Sequence, residues 1–109
     1  GYDPALIEAH RTMSLERVTP ITDAARTGEP IWILSPQELE TRYPLMTRAD
    51  PRSLAWAALP LRVEGRTIGS IGLSFGEPRR FPPVERGFMT SLARQCAQAL
   101  QRAELYREA

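Results

Sequence analysis

A long apolar segment interrupted by one charged turn limits the folds open to this chain more than any other feature. Residues 53–63 and 67–75 are rich in apolar and small side chains, and Glu64-Gly65 lies between them. Apolar residues alternate in both runs with the period of a strand, and a short turn containing glycine is typical of a β-hairpin. Pro60 cannot donate a sheet hydrogen bond, so it predicts a bulge or an unpaired position in the first strand.

Cap and proline signals predict two helices in the first third of the chain. Asp3 followed by Pro4 is an N-cap and first-turn pair, which predicts a short helix over residues 3–10. A threonine-proline pair repeats this signal later in the chain, and Gly28 supplies a left-handed stop. Residues 20–27 are therefore predicted to form a second helix.

A third strand and a third helix are predicted between these helices and the hairpin. Residues 31–34 form an apolar run that is bounded by prolines and is too short for a helix, so we expect a strand. Ser35 and Glu38 have the spacing of a capping box, in which each side chain bonds the other residue's backbone amide. The helix that follows is predicted to end at Arg42 or Tyr43, because the next residue is proline.

The last quarter of the chain predicts one long helix from Pro83 to about Arg107. Its apolar residues form a stripe wide enough to contact two partners at once, such as the sheet and another helix. The stripe comprises Val84, Phe88, Leu92, Cys96, Ala99, Ala103 and Tyr106, with Met89, Ala93, Ala97 and Leu100 beside it.

The order of these pieces resembles a known family. Residues 60–75, a proline-led strand, a short charged turn and a Gly-x-x-Gly strand, are similar to the central hairpin of bacterial GAF domains. Residues 81–100 resemble the family's final helix, and residues 22–32 resemble its helix-to-strand passage. The resemblance implies an α+β fold of the GAF type, similar to profilin and PAS domains: an antiparallel sheet covered by helices, with a long C-terminal helix.

The resemblance also implies how the chain is organised. Residues 1–109 are interpreted as one partial GAF domain. The family's first helix and strand hairpin are expected to lie before Gly1, and without them the sheet would have an open edge.

The function that the resemblance implies is sensory or regulatory rather than enzymatic. We expect a module of a multidomain bacterial signalling protein, attached to a histidine kinase or a phosphatase, that binds a small molecule and signals through a homodimer of the last helix. A module that only dimerises and links domains, with a filled core, remains open as an alternative. The residues assigned to the dimer and signalling helix are Phe88, Leu92, Cys96, Ala99, Leu100, Ala103 and Tyr106.

The resemblance places a ligand between the sheet and its covering segments, here residues 37–52. The aromatic and small residues expected to face that cover are Trp32, Leu34, Tyr43, Trp56, Ala58 and Ile71. Aromatic side chains suit a small-molecule cavity, but the same residues could simply fill the core. The sequence identifies neither the ligand nor a cofactor.

Composition argues against several function classes. The chain is 42% hydrophobic and 25% charged with a net charge of +1, so it has neither a disordered composition nor the basic stripe typical of nucleic-acid binding. No apolar run has the length of a membrane span, and we expect a cytoplasmic protein. The sequence lacks Asn and Lys, which excludes the cyclic-nucleotide signature of the family. A single cysteine argues against the methionine-sulfoxide reductases of this fold, which rely on several.

The residues that could take part in catalysis or metal binding do not form recognisable groups in the sequence. Cys96 lies on the apolar stripe and is expected to be a small buried hydrophobe. His10 has no second histidine to share a metal, so we expect a solvated helix residue and no metal site. Asp23 and Glu29 could be taken for an acid–base pair, but surface polarity explains them better. No catalytic residue is predicted.

Overall fold

The structure is a computed structural model that describes residues 6–10, 18–46 and 51–108. In chain order the elements are β1 (Leu6–His10), α1 (Pro20–Thr27), β2 (Ile31–Ile33), α2 (Pro36–Arg42), β3 (Ala55–Val63), β4 (Arg66–Phe75) and α3 (Pro83–Glu108). The four strands form one antiparallel sheet in the order β1-β4-β3-β2. Its two faces carry different covers, α1 and α2 on one and α3 on the other, so the predicted α+β architecture is confirmed.

The central hairpin forms as predicted. Glu64 and Gly65 both have positive φ, 52° and 79°, which is the backbone of a two-residue type I′ turn. The register of β3 against β4 shifts between Leu61 and Arg62, where the pairing passes over Ile68. The extra residue of this bulge, Ile68, belongs to β4, and Pro60 itself pairs in register with Ser70, so the bulge does not lie at the proline. The other predicted outcome fits instead, because the pairing with β2 ends at Ala58 and leaves the second side of Pro60 unpaired.

The prediction of a helix over residues 3–10 is wrong for the part that the structure describes. Residues 6–10 form β1, and its pairs with β4 run from Leu6↔Ser74 to His10↔Ser70. The strand occupies the outer edge of β4, so the sheet has four strands rather than the three that the sequence predicted. Asp3 and Pro4 lie outside the described residues.

Helix α1 has the predicted bounds, and its close contact with the sheet depends on a glycine. Thr19 and Thr22 form a capping box at its start, and Gly28 ends it with φ 73°. Ile21 packs over Gly72 of β4, where an added Cβ would lie 2.8 Å from the Ile21 Cδ1 atom. A larger residue at position 72 would therefore push the helix away from the sheet.

Helix α2 starts with only half of the predicted capping box. The Ser35 hydroxyl accepts a hydrogen bond from the Glu38 amide at 3.3 Å. The Glu38 carboxylate does not return to Ser35 and instead accepts from the Leu34 amide at 2.7 Å. The carboxylate thus fixes the exit from β2, which ends at Ile33 rather than at Leu34.

Each face of the sheet has its own buried cluster. The α3 face contains the larger one: Ala55, Ala57, Leu59, Leu61, Val63, Ile71, Leu73, Phe75, Phe81, Met89, Ala93 and Ala97. The α1/α2 face contains Ile33, Leu39 and Tyr43, with Ile31, Met46 and Trp56 packed beside them. Within the described segments no helix is long and apolar enough to span a bilayer.

Candidate functional site

The six residues expected to line one cavity are divided between the two faces of the sheet. Trp32, Leu34 and Ile71 lie on the α3 face, in or beside its buried cluster. Trp56 belongs to the α1/α2 face, where it packs beside Tyr43. Trp32 and Ile71 cannot join this pair, because neighbouring side chains on a strand point to opposite faces. Leu34 follows the end of β2 and packs beside the α3-face cluster.

The remaining member of the set follows the same rule. Ala58 pairs with Ile31 and with Gly72, two residues of the α1/α2 face, and it is buried. Three of the six predicted residues thus lie under α1 and α2. The expected single aromatic cavity does not form, although each half of the set lies close to a cluster of its own.

Tyr43 is the polar centre of the α1/α2 face. Its ring is buried, and its hydroxyl donates to Asp23 Oδ2 at 2.8 Å. Burial, reinforced by the bond to this carboxylate and by its charge, raises the pKa of Tyr43 from 10.0 to about 12. The tyrosine therefore stays a neutral donor throughout the physiological range.

Asp23 connects two helices and is more than a polar surface residue. It lies in the first turn of α1, where a carboxylate is favoured by the helix dipole. Its other oxygen, Oδ1, is 2.6 Å from Arg26 Nη1, while Oδ2 receives the Tyr43 hydroxyl from the end of α2. Glu29 is exposed and takes no part in this contact. Sequence reasoning missed the Asp23–Tyr43 bond because 20 residues separate the partners.

A second feature that the sequence did not reveal surrounds the start of α3. Phe81 is 1% exposed, and its ring centroid lies 5.3 Å from that of Trp32 and 5.6 Å from that of Phe75. Its backbone is left-handed, with φ 51°, which is a strained conformation for any residue but glycine. The aromatic contacts hold the chain in this conformation where it turns from the sheet into the last helix.

Two arginines close this aromatic cluster from outside. Arg79 lies over the Phe75 ring at 4.5 Å from its centroid, and its amide donates to the Leu34 carbonyl. Arg86 lies over the Trp32 ring at 5.1 Å, and its Nε donates to the Phe81 carbonyl at 2.7 Å. Cation–π contacts and a charge-assisted hydrogen bond thus attach the first turn of α3 to the sheet.

Helix α3 uses only part of its apolar surface against the sheet. Met89, Ala93 and Ala97 are buried, and the two alanines let the helix approach the strands closely. Val84 and Phe88, which the sequence placed in the middle of the stripe, are 87% and 71% exposed. The predicted stripe is therefore split lengthwise into a half that is buried against the sheet and a free half that is exposed to solvent. The free half contains Val84, Phe88, Ala99 and Ala103.

The residues assigned to the dimer and signalling helix follow this division. Phe88, Ala99 and Ala103 are exposed, and the side chain of Tyr106 lies outside the described part. Leu92, Cys96 and Leu100 are half-buried, and the latter two pack against the α3-face cluster. Cys96 is thus a hydrophobe at the boundary of the core, less buried than the sequence predicted.

Metal-binding side chains do not form a cluster in the segments that the structure describes. No group of three His, Cys, Asp or Glu side chains lies close enough there to hold a metal ion. His10 belongs to β1 and not to a helix, so its expected setting was wrong. Two of the polar contacts, Asp23–Tyr43 and Arg79–Glu85, connect different parts of the fold.

Comparisons with known proteins agree with this architecture. A family model described as GAF domain matches residues 1–101. The chain is similar to the GAF domain of an Acinetobacter phosphoenolpyruvate-protein phosphotransferase, with 12% identity, a TM-score of 0.68 and coverage of 89% of this chain and 55% of that one. It is also similar to a domain of a two-component sensor histidine kinase protein from Sinorhizobium meliloti, with 29% identity, a TM-score of 0.53 and coverage of 74% and 58%.

A further similar structure belongs to an enzyme. It is the type II free methionine-R-sulfoxide reductase from Thermoplasma acidophilum, with 15% identity, a TM-score of 0.65 and coverage of 78% of this chain and 57% of that one. At this identity the likeness concerns the fold alone. The chain spans a little over half the length of these three structures. No curated protein sequence matched it.

Proposed function

Because the chain belongs to the GAF domain family, we propose that it is a sensory or regulatory module that passes a signal through a homodimer of α3. The observation that carries this proposal is the free half of the α3 stripe, where Val84 and Phe88 are 87% and 71% exposed. Large apolar side chains that lie together on the exposed side of a helix are typical of an interaction surface.

The spacing of the stripe fits a second copy of the same helix. Leu92, Cys96, Ala99, Ala103 and Tyr106 follow one another at intervals of four and three residues. Alternating intervals of this kind are the heptad pattern of a coiled coil. A partner helix packed on this side would contact side chains that adjoin the buried face, so a movement of α3 on the sheet would reach the dimer.

The α3 start cluster of Trp32, Phe75, Phe81, Arg79 and Arg86 supports the same mechanism. These contacts attach the first turn of the helix to the sheet, whereas the exposed Ala99 and Ala103 lie far from this attachment. If the first turn of α3 is held in place, a small rotation of the helix about that turn produces a larger displacement at its C-terminal end. An attached kinase or phosphatase is the effector we propose, in keeping with the likeness to a domain of a sensor histidine kinase protein.

A concentration series by sedimentation equilibrium tests the proposed dimer. We expect the mass to rise from one chain to two as protein concentration increases. A mass of one chain at the highest concentration would contradict the proposal, since a coiled-coil contact forms reversibly by mass action.

The alternative is a module that only dimerises and joins domains. The observation in its favour is the tight packing of the α1/α2 face, where Ile33, Leu39 and Tyr43 are at most 5% exposed. Thermal unfolding against a metabolite library separates the two functions, because a ligand that binds the native state raises the melting temperature. A stable dimer with no stabilising ligand would favour the linker function.

We further propose that the chain is not an enzyme and acts in the cytoplasm. Reductases of this fold rely on several cysteines, as the family resemblance implies, whereas the sequence has Cys96 alone. The test is an assay with free methionine sulfoxide and a thiol reductant, in which we expect no turnover. Turnover that disappears in Cys96→Ser would contradict the proposal.

A further inference from the structure

A groove opens at the edge of β3 where its pairing with β2 stops. The last β2–β3 pair is Ile31↔Ala58, so β3 continues past the end of its neighbour. The groove lies between the α1–β2 connection, at Gly28 and Pro30, and the middle of α3. Pro60 is tolerated at this edge because it has no N–H group to pair.

The groove has an apolar floor and a definite size. Leu59, Pro60 and Ala93 line it, and its volume is about 150 Å³. A cavity of this volume in a protein core accommodates a benzene ring. The β3-edge groove is therefore suited to a compact apolar body about the size of a benzene ring.

Polar residues also line the groove, and the charged ones among them are both positive. Arg62, Arg94 and Thr90 line the groove, and no acidic residue of the described segments does. Arg62 is held in place, since its Nη2 donates to the Gly65 carbonyl at 2.9 Å and its Nη1 lies 3.5 Å from the Gly28 carbonyl. A guanidinium has five N–H donors, so this arginine keeps donors for a further acceptor.

The second arginine is available to a ligand. Arg94 is exposed on α3 and forms no ion pair with a residue in the segments that the structure describes. Two arginines that line a small apolar cleft are suited to a carboxylate on a hydrophobic body, which they can bind through charge-assisted hydrogen bonds.

We propose that the β3-edge groove binds a small organic carboxylate with a compact apolar body. The carboxylate lies between Arg62 and Arg94, and the apolar body lies on Leu59, Pro60 and Ala93. The inference rests on the proposed regulatory function and supplies its ligand class. Because Arg94 belongs to α3 and Arg62 to β3, a bound anion joins the signalling helix to the sheet. This groove is distinct from the Tyr43 and Trp56 region that the sequence favoured.

Benzoate and benzamide are the probes that test the site, since they share a ring and differ in charge. In isothermal titration we expect benzoate to bind at millimolar concentration and benzamide to bind at least about tenfold more weakly. Inorganic phosphate tests the apolar floor, and we expect it to bind more weakly than benzoate. Equal binding of benzoate and benzamide, binding of phosphate as tight as benzoate, or no benzoate binding would each overturn the proposal.

Three variants locate the binding. Arg94→Gln and Arg62→Gln should each weaken benzoate binding about tenfold or more, because each removes a charged donor. Arg102→Gln is the matched control: it removes the same charge from an exposed position of α3 outside the groove, and benzoate binding should not change. Arg94 is exposed, so its variant is expected to fold even if Arg62→Gln does not. Equal affinity in Arg94→Gln and the wild type would overturn the assignment.

The same samples separate this inference from the proposed function. Sedimentation of each protein without benzoate reports the dimer alone. A wild-type dimer that fails to bind benzoate contradicts the groove assignment and leaves the dimer proposal intact. A monomer that binds benzoate through Arg94 contradicts the dimer proposal and leaves the groove assignment intact.

Discussion

Because the backbone at Phe81 is left-handed, we expect the glycine variant at this position to be more stable than the alanine variant, the reverse of the usual order. Phe81→Ala removes a ring that is 1% exposed and should lower the free energy of unfolding by about 3–5 kcal/mol. Alanine still has a Cβ, so it retains the left-handed strain of about 1–2 kcal/mol that φ 51° imposes. Glycine relieves that strain, but its greater freedom in the unfolded chain costs about 0.5–1 kcal/mol.

Phe81→Gly should therefore be more stable than Phe81→Ala, by roughly 0.5–1 kcal/mol. Phe75 supplies the control, because it is a buried phenylalanine of the same cluster in the extended backbone of β4. There the glycine variant should be less stable than the alanine variant by about 0.5–1 kcal/mol. The difference between the two positions isolates the strain, because both lose the same ring.

Urea unfolding followed by the fluorescence of Trp32 and Trp56 measures the four variants. A loss of about 3–5 kcal/mol is tolerable for a domain whose total stability is of order 5–15 kcal/mol. Glycine less stable than alanine at both positions would refute the reasoning. It would mean that the backbone at position 81 relaxes without cost once the ring is gone.

Two further predictions concern the α1/α2 face. Gly72→Ala should destabilise the fold by about 1–3 kcal/mol, because its Cβ would meet Ile21 Cδ1 at 2.8 Å. Ile21→Val deletes that atom, so in a double-mutant cycle it should recover part of the lost stability, and purely additive effects would count against the contact. Tyr43→Phe should cost about 1–2 kcal/mol near neutral pH by removing the bond to Asp23. Because the folded-state pKa of Tyr43, about 12, lies above its unfolded value of 10.0, the wild type should lose stability as pH rises between these values, and the variant should lack that loss in chemical denaturation at each pH.

Local signals were sufficient to predict the elements that are held together by near neighbours in sequence. The Glu64-Gly65 turn, the Thr19 cap and the Gly28 stop each act over a few residues, and the hairpin and α1 formed with nearly the predicted bounds. Strand β1 was missed for the opposite reason. Its sequence, Leu-Ile-Glu-Ala-His, follows the cap-like Asp3-Pro4 pair and contains good helix formers, and its pairing partners in β4 lie 60 or more residues away.

The candidate site was less predictable because it depends on how elements pack. The apolar stripe of α3 was visible in the sequence, but which half faces the sheet depends on the close fit of Ala93 and Ala97 against β3. The β3-edge groove was invisible, since Arg62 and Arg94 come together only after β2 stops short and α3 crosses the sheet. The predicted aromatic cavity is divided because Trp32 of β2 and Trp56 of β3 lie on opposite faces of the sheet.

The most direct test of the central claim is the association of two exposed-residue variants of α3. Phe88 lies on the free stripe, and Leu105, which is 61% exposed, lies about 100° around the helix from it. By sedimentation equilibrium, Phe88→Glu should weaken dimer formation at least about tenfold by placing a charge in the contact, while Leu105→Glu should associate like the wild type. A dimer that tolerates Phe88→Glu, or a wild type that stays monomeric, would contradict the claim that the free half of α3 is the signalling surface.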